Sequence, residues 1–203
     1  MPVKIKLLLL ALGILFLAFI VVQVFALNSQ RNIEMYPYTL IKKGSTFEIR
    51  AYEASLFTSV TISNDTYKKS SKKGFSMLAG YIFGNNETNE KIAMTSPVSM
   101  SLSDSTTMMF MVPRKLQKEK LPKPLEQQIK FIEEPAKTVA AIRFTGWAND
   151  DKITKYKQEL CKALDVAKIP YSNKFYFLGY NAPYEFFNRK NEIIVELPKS
   201  YLK

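Results

Sequence analysis

The sequence predicts an α+β domain that follows a hydrophobic N-terminal helix. Three observations support this prediction: an unbroken apolar run near the N-terminus, two stretches with the period of amphipathic helices, and short runs rich in β-forming residues on both sides of each stretch. In order, the folded part reads strand-strand-helix-strand-strand, twice. We therefore divide the chain into residues 1–27 as a membrane anchor or signal peptide, residues 28–37 as a polar tether and residues 38–203 as the folded domain.

The apolar run covers residues 5–27, and after Lys6 its only strongly polar member is Gln23. As a helix it is about 34 Å long, enough to cross a bilayer core of about 30 Å. Lys4 and Lys6 favour a cytoplasmic N-terminus, which predicts a single-pass membrane protein with its domain on the extracytoplasmic side. Val24-Phe25-Ala26 resembles a signal-peptidase site, so cleavage after this alanine and secretion is the alternative. The run exceeds the usual signal-peptide core of about 7–15 residues, which favours the anchor.

The first half of the domain is organised around a helix predicted at residues 66–83. Asn64-Asp65-Thr66 supplies residues that favour a helix N-cap, and Gly84-Asn85-Asn86 ends the helix, because Gly and Asn tolerate the left-handed conformation found there. Residues 92–102 alternate as a half-buried strand would, with Pro97 inside the run, so we expect an edge or a bulge at that point. The strands of this half are predicted at residues 47–52, 55–62, 98–102 and 107–112, the last two joined by a turn at residues 103–105.

The second half repeats this order after a basic, proline-punctuated loop at residues 113–124. Its helix is predicted at residues 150–167, with Asn149 as the N-cap. The strands of this half are predicted at residues 129–133, 138–144, 174–179 and 192–197. No residue-level repeat is obvious, so an internal duplication is inferred from the order of the elements alone.

The chain contains no histidine and one cysteine, Cys161. Without imidazole, nucleophile pairs of the Ser-His or Cys-His type and histidine metal ligands are excluded. A single cysteine excludes an intrachain disulfide and every CxxC motif. No sequence pattern indicates a Ser-Lys pair or a carboxylate dyad, so we assign no catalytic residues and no metal site and favour binding over catalysis.

The formal net charge of +11 favours anionic partners. Nucleic acid is not predicted, since the sequence has no helix-turn-helix pattern and no RNP-like motif, and its lysines are scattered or occur in pairs. A hydrophobic anion or an anionic lipid surface fits the charge and the N-terminal run. The sequence does not determine the oligomeric state.

Several short motifs occur in a fixed order in the domain. The motif GFxxLxxYIxGxN begins at Gly74, within the first predicted helix of the domain, and is followed by the motif KIxMTxPV, which ends at Val98. Further motifs are Phe47-Glu48-Ile49-Arg50-Ala51-Tyr52, Met111-Val112-Pro113, Phe144-Thr145-Gly146 and Arg189-Lys190-Asn191-Glu192-Ile193. Together, over about residues 38–198, they resemble the SOUL haem-binding protein family.

The resemblance implies a distorted antiparallel β-barrel or sheet flanked by two helices, similar to the gyrase-inhibitor-like effector-binding domains. It also implies non-catalytic, non-covalent binding of haem or another tetrapyrrole in an apolar groove beside the first helix of the domain. Carried over residue by residue, the groove would include Lys72, Phe75, Leu78 and Ala79 on the helix and Arg189 after a late loop. An apolar groove with cations at its rim suits a porphyrin, which has two apolar faces and two carboxylates. The alternative for the three apolar helix residues is that they pack on the sheet.

The sequence departs from the family in two places. Some members are thought to hold the iron with a histidine, which this chain lacks; the remaining candidates for that role are Tyr81, Met77, Met94 and Cys161. Glu185 in the late loop stands near where some members have a basic residue, and a carboxylate there would repel a propionate.

These departures leave alternatives to haem binding. A module that binds another amphipathic anion or a protein partner is the first, and an enzyme acting on a small hydrophobic substrate is the second. Met94, Met100, Met108, Met109 and Met111 crowd the central strands, either as adaptable binding surface or as core.

Fractionation of expressing cells tests the N-terminal prediction. An uncleaved anchor places the protein in the membrane fraction at its full mass, which mass spectrometry of the intact chain measures. A soluble extracytoplasmic form that begins at Leu27 would show instead that the run is a signal peptide.

Overall fold

The computed structural model describes residues 2–29, 33–63, 66–103 and 105–202. Helix α1 (Val3–Ser29) forms the N-terminal element, and most of its apolar side chains up to Val24 are exposed. The segment Val3–Val24 has a mean hydropathy of 3.0 and is long and apolar enough to cross a membrane; a signal sequence would meet the same criteria. The sequence prediction of one apolar N-terminal helix is therefore confirmed.

Two further helices and eleven strands follow within the described residues. The helices are α2 (Tyr67–Ile82) and α3 (Asp150–Val166). The strands of the first half are β1 (Glu34–Met35), β2 (Tyr38–Lys43), β3 (Glu48–Tyr52), β4 (Ser55–Ser63), β5 (Thr95–Ser96), β6 (Val98–Ser101) and β7 (Ser105–Met111). Those of the second half are β8 (Lys130–Glu134), β9 (Lys137–Thr145), β10 (Phe175–Gly179) and β11 (Lys190–Glu196), and short 3-10 helices lie at Lys118–Lys120 and Lys199–Leu202.

Nine strands of the described chain form one curled antiparallel sheet in the order β2-β3-β9-β11-β10-β6-β7-β4-β8. The counterparts in the two halves are β3 and β8, β4 and β9, β6 and β10, and β7 and β11. If β2 is left out and each strand is replaced by its counterpart, the order of the sheet is reversed and otherwise unchanged. The predicted repeat of strand-strand-helix-strand-strand is thus present as a pseudo-two-fold arrangement, with β6 and β10 paired at its centre. Strands β3 and β8 each pair with the other half, so the two halves form one folding unit.

Each helix packs on the sheet beside the central strand pair. Helix α2 packs mainly on β4 and β7, and α3 mainly on β9 and β11. Gly74 allows α2 to approach the sheet closely: a Cβ atom there would lie 2.9 Å from Ile62 Cδ1 and 3.2 Å from Met108 Sδ. Both helices therefore pack on the same face of the sheet and enclose the larger hydrophobic core.

The helix ends follow the sequence signals with one exception. Gly84 has a φ of 113°, and the amides of Gly84 and Asn85 donate to the carbonyls of Tyr81 and Gly80, a Schellman motif that ends α2. The side chain of Asn149 accepts a hydrogen bond from the Lys152 amide (2.9 Å), as predicted for the N-cap of α3.

The N-terminus of α2 is the exception. Thr66 makes no side-chain cap hydrogen bond; instead the Tyr67 amide donates to Asp150 Oδ1 of α3 at 2.9 Å. The other predicted capping residues, Asn64 and Asp65, lie outside the described residues, as does Asp104 of the predicted turn.

Pro97 is not at a sheet edge, so that part of the expectation is wrong. The predicted strand is divided there, after a cis Ser96–Pro97 peptide, into β5, which pairs in parallel with β1, and β6, which lies at the centre of the sheet. Proline is accommodated because it falls between two strands rather than within a ladder. Strands β1 and β2 were not predicted; β2 is an exposed edge strand, where packing selects few apolar residues.

The face of the sheet opposite the helices carries a second, smaller hydrophobic core that includes three tyrosines. Tyr36 packs between Tyr52 and Phe57, with ring centroids 4.4 Å and 5.1 Å apart. Beside them Arg50 forms a bidentate pair with the fully buried Glu192 (2.8 Å and 3.1 Å). This pair joins β3 of the first half to β11 of the second.

Arg50 determines the protonation state of Glu192. Burial alone would raise the pKa of this carboxyl, but the hydrogen bonds and charge of Arg50, with Lys190 and Tyr180, outweigh it and lower the pKa below its ordinary value. The carboxylate therefore stabilises the fold above the pKa of the unfolded chain, about 4.3, and that stabilisation is lost as the pH falls through the lower folded value.

Glu192→Gln should lower the free energy of unfolding by about 3 kcal/mol at pH 7, because it removes the fully buried counter-charge of Arg50 and leaves the guanidinium paired only with the partly exposed Glu48 at 2.7 Å. Urea denaturation of the full chain in detergent, followed by circular dichroism, measures this loss. The difference from wild type should shrink below about pH 4. A difference that is constant from pH 7 to pH 3 would show that the carboxylate charge is not responsible.

Candidate functional site

A cavity of about 620 Å³ lies on the helical face of the sheet, between α2 and the start of α3. This is within the size range of ligand pockets, about 300–1,000 Å³, and most of its lining is apolar. Its residues come from α2 (Tyr67, Lys68, Ser71, Lys72, Phe75, Ser76), from β6 and β7 (Val98, Met100, Met108), from the segment before α3 and its first residue (Trp147, Ala148, Asn149, Asp150), and from β10, β11 and their connection (Phe177, Gly179, Asn181, Pro183, Arg189, Asn191).

The floor of the cavity is the central strand pair. Because α2 packs mainly on β4 and β7 and α3 mainly on β9 and β11, neither helix lies chiefly over β6 and β10. The side chains of these two strands that line the cavity are those of Val98, Met100 and Phe177, and Gly179 lines it without a side chain. The repeated fold thus leaves an apolar cleft along its pseudo-two-fold axis, with Val98 half-buried and Met100 and Phe177 nearly fully buried at its floor.

Helix α2 forms one wall. Lys72 and Phe75 line the cavity, and Phe75 is half-buried with its ring 5.4 Å from that of Phe110. Leu78 and Ala79 lie one turn further along, where they are buried in the core and do not line the cavity. On the apolar stripe of α2, Phe75 therefore borders the cavity, whereas Leu78 and Ala79 pack in the core.

The connection between β10 and β11 forms the opposite rim. Arg189 lines the cavity and is held in place by its own loop, since Nη1 donates to the carbonyls of Ala182 (2.9 Å) and Glu185 (2.6 Å) and its guanidinium lies 3.9 Å from the ring centroid of Trp147. Its Nε is buried without a hydrogen-bond partner. The loop and Trp147 therefore fix the guanidinium at the rim of the cavity.

Glu185 does not face the cavity. Its carboxylate accepts hydrogen bonds from Asn181 Nδ2 (2.7 Å) and from the Ala182 amide (3.0 Å), and the residue is buried within the loop. The expected repulsion of a propionate therefore has no geometric basis. The carboxylate instead orders the loop that positions Arg189.

The cavity has a positive rim. Lys68, Lys72 and Arg189 line it, against one carboxylate, Asp150, which is engaged by the Tyr67 amide. Burial lowers the pKa of Arg189, but the ordinary pKa of a guanidinium is so far above 7 that the side chain stays charged. Burial raises the pKa of Tyr67, which therefore stays a neutral phenol near pH 7. The electrostatics favour an anion with a large apolar body.

The residues proposed for iron ligation lie elsewhere. The Tyr81 hydroxyl is buried and donates to the Pro122 carbonyl at 2.9 Å, and burial raises its pKa to about 12. Met77, Met94 and Cys161 pack beside the core and do not line the cavity. Among the described residues, the methionines that line the cavity are Met100 and Met108.

Sequence reasoning missed much of the cavity. Met100 and Met108 belonged to the methionine-rich strands that were interpreted either as binding surface or as core, and the structure places them at the boundary of the two. Tyr67, Trp147 and Phe177 gave no signal, because their contact with the cavity depends on how the two halves meet. Trp147 follows the Phe144-Thr145-Gly146 motif directly, and this proximity was the available clue.

Comparison with known proteins identifies the family. Residues 33–196 match the family model of the SOUL heme-binding protein. The chain belongs to the SOUL heme-binding protein family. Heme-binding protein 2 of Homo sapiens is 32% identical over 158 residues, covering 73% of this chain and 76% of that protein. Heme-binding protein 1 of Bos taurus is 26% identical over 175 residues, covering 80% and 91%. The resemblance drawn from the motifs is confirmed.

The SOUL fold of this chain also resembles solved structures of other proteins. The C-terminal domain of EcmrR has a TM-score of 0.61 at 11% identity, covering 80% of this chain and 98% of that one. A hydrolase from Listeria innocua has a TM-score of 0.55 at 10% identity, covering 78% and 94%. At these identities the likeness shows the fold alone, and the predicted α+β fold with a curled antiparallel sheet is confirmed.

Truncation separates the cavity wall from the core. Leu78→Ala should lower the free energy of unfolding by about 2–5 kcal/mol, because the fully buried side chain leaves a cavity. Phe75→Ala should cost less, since the ring already borders an open cavity. Urea denaturation of both variants measures the difference. Equal losses would place Phe75 in the core and remove it from the site.

Proposed function

We propose that this SOUL family member is a non-catalytic protein that binds haem or a related tetrapyrrole non-covalently in the cavity over β6 and β10. The observation that carries the proposal is the combination of an apolar floor and a positive rim in a single concave site of a haem-binding family. Relatives named for haem binding in Homo sapiens and Bos taurus support the ligand class.

The residues of the cavity fit the chemistry of a porphyrin. Its apolar faces would contact Phe75, Met100 and Phe177, and its carboxylates would be held at the rim by the side chains of Lys72 and Arg189. Arg189 is already fixed by its loop, so little conformational entropy is lost when it receives a carboxylate.

Binding in this cavity does not use histidine, since the chain has none. The affinity then comes from apolar contact and charge rather than from a strong axial ligand. Lys68, Lys72, Phe75, Met100, Phe177 and Arg189 form the proposed site, and Leu78 and Ala79 support the helix that carries it.

The proposed location is the outer side of a membrane. Helix α1 has the length and composition of a membrane span, and Lys4 and Lys6 at its start favour a cytoplasmic N-terminus. The domain would then be tethered on the extracytoplasmic side, with the cavity close to the lipid surface.

A side-by-side titration tests the ligand class. Ferric haem, metal-free porphyrin and an unrelated hydrophobic anion are titrated into the full chain in detergent, and Kd is measured by absorbance or fluorescence. Metal-free porphyrin should bind within about tenfold of ferric haem, a difference under about 1.4 kcal/mol. A thousandfold loss without iron would contradict this account and indicate ligation by Met100 or Met108, which Leu variants would identify. Equal binding of the unrelated anion would show a broader specificity than proposed.

Lys72→Glu provides the electrostatic control. It should weaken binding of a dicarboxylate porphyrin more than binding of its uncharged ester, and the gap should narrow as salt is raised, because the side chain is exposed and screened. Lys73→Glu, which changes a neighbouring exposed lysine that does not line the cavity, is the matched variant. Equal effects of the two variants would remove Lys72 from the site.

A further inference from the structure

The loop at residues 183–187 joins the cavity to helix α1. Gln23 donates from Nε2 to the Tyr184 carbonyl (3.0 Å) and accepts at Oε1 from the Phe186 amide (3.3 Å), and it is buried by this contact. The ring of Phe19, one turn earlier in α1, lies 5.8 Å from that of Phe186 and 6.5 Å from that of Phe187. Gln23, the polar residue within the apolar helix, thus binds this loop through two hydrogen bonds.

The loop exposes large aromatic side chains. Tyr184, Phe186 and Phe187 are 49%, 52% and 60% exposed, and Trp147, whose ring lies 5.9 Å from that of Phe186, is 51% exposed. They form one contiguous patch, which we call the aromatic patch, beside a helix whose own apolar side chains are exposed. Soluble surfaces seldom leave such a patch uncovered.

The position of the patch along α1 matches the boundary of a bilayer. Lys4 and Gln23 are about 28 Å apart along the helix, close to the thickness of a bilayer core of about 30 Å. With Lys4 in one headgroup region, Gln23 lies at the opposite boundary, and Phe19 lies about 6 Å deeper. The aromatic patch is therefore at the level where Trp and Tyr are enriched in membrane proteins.

The patch is also continuous with the cavity. Trp147 both lines the cavity and belongs to the patch, and Arg189 lies against its ring at the rim. Phe186 extends the same surface to α1. A flat apolar anion leaving the interface would therefore meet the cavity without crossing water.

We propose that the aromatic patch lies in the interface of the bilayer that α1 spans, so that the cavity opens onto the membrane and takes its porphyrin from the lipid phase. The lipid-entry part rests on the proposed ligand, whereas the position of the patch rests only on the proposed membrane span of α1. The partner is the lipid interface itself, because the apolar surface of α1 and the patch form one face at a common level.

Trp147 reports its own depth, since it is the only tryptophan in the chain. The full chain is placed in phosphatidylcholine nanodiscs without porphyrin, and tryptophan fluorescence is quenched either with phospholipids brominated on the acyl chain near the headgroup or with aqueous iodide. The bromolipids should quench strongly and iodide weakly. Strong iodide quenching without bromolipid quenching would place the patch in water and overturn the proposal. Protection from both quenchers would show that protein covers the patch and would overturn it equally.

A double variant and a matched control sharpen the result. Phe186→Ser with Phe187→Ser should reduce bromolipid quenching at least twofold and slow porphyrin uptake from preloaded nanodiscs by about tenfold. Its Kd for metal-free porphyrin in detergent should stay within twofold of wild type, because neither side chain lines the cavity. Phe83→Ser, at an equally exposed phenylalanine after α2, should change neither quenching nor uptake. Unchanged uptake in the double variant would overturn the lipid-entry route.

The two proposals fail separately. Bromolipid quenching in a chain that binds no porphyrin would reject the proposed function and keep the membrane position of the patch. Porphyrin binding in a chain whose Trp147 is quenched only by iodide would keep the proposed function and reject the membrane position of the patch.

Discussion

The antiparallel pairing of β6 with β10 is the constraint on which the cavity depends. It joins the two halves of the domain at the pseudo-two-fold axis, and each half brings one helix that packs mainly on its own outer strands. Side chains of the central pair therefore form the floor of a cleft between the two helices, where Met100 and Phe177 are nearly fully buried. A repeated fold of this kind produces a cleft at its axis whichever residues line it, and the residues that line the cleft determine what it can bind.

The buried pair of Arg50 and Glu192 has a different role, on the far face of the same sheet. It links β3 to β11 and so fixes how the first half crosses to the second. Buried ion pairs add little net stability over an apolar core, but a broken one is costly, so such a pair penalises alternative strand pairings. Because this pair constrains the register of the sheet from the opposite face, the helical face does not have to provide that constraint and can contain a cavity.

Most elements of the domain were predictable from sequence, because each is determined by a local pattern. Helix α3 began at its predicted N-cap, Asn149, and α2 ended at Gly84. The assignments that failed depended on tertiary context. Pro97 was expected at an edge or a bulge because proline lacks an N–H donor. The local pattern cannot show that the chain passes there from β5, which pairs with β1, to β6 in the centre of the large sheet. Leu78 and Phe75 lie on one apolar stripe of α2, and only the placement of the sheet decides which of them is buried and which borders the cavity. Trp147 carried no periodic signal at all.

The central claim is that a tetrapyrrole lies on the β6–β10 floor, and the methionines of this chain provide a direct test. Met100 and Met108 face the cavity, whereas Met109 and Met111 belong to the core on the opposite face. In the full chain labelled with 13C at the methionine methyl groups, metal-free porphyrin should shift the NMR signals of Met100 and Met108 through its ring current. The signals of Met109 and Met111 should move little. Large shifts at Met109 and Met111, with Met100 and Met108 unchanged, would contradict the account.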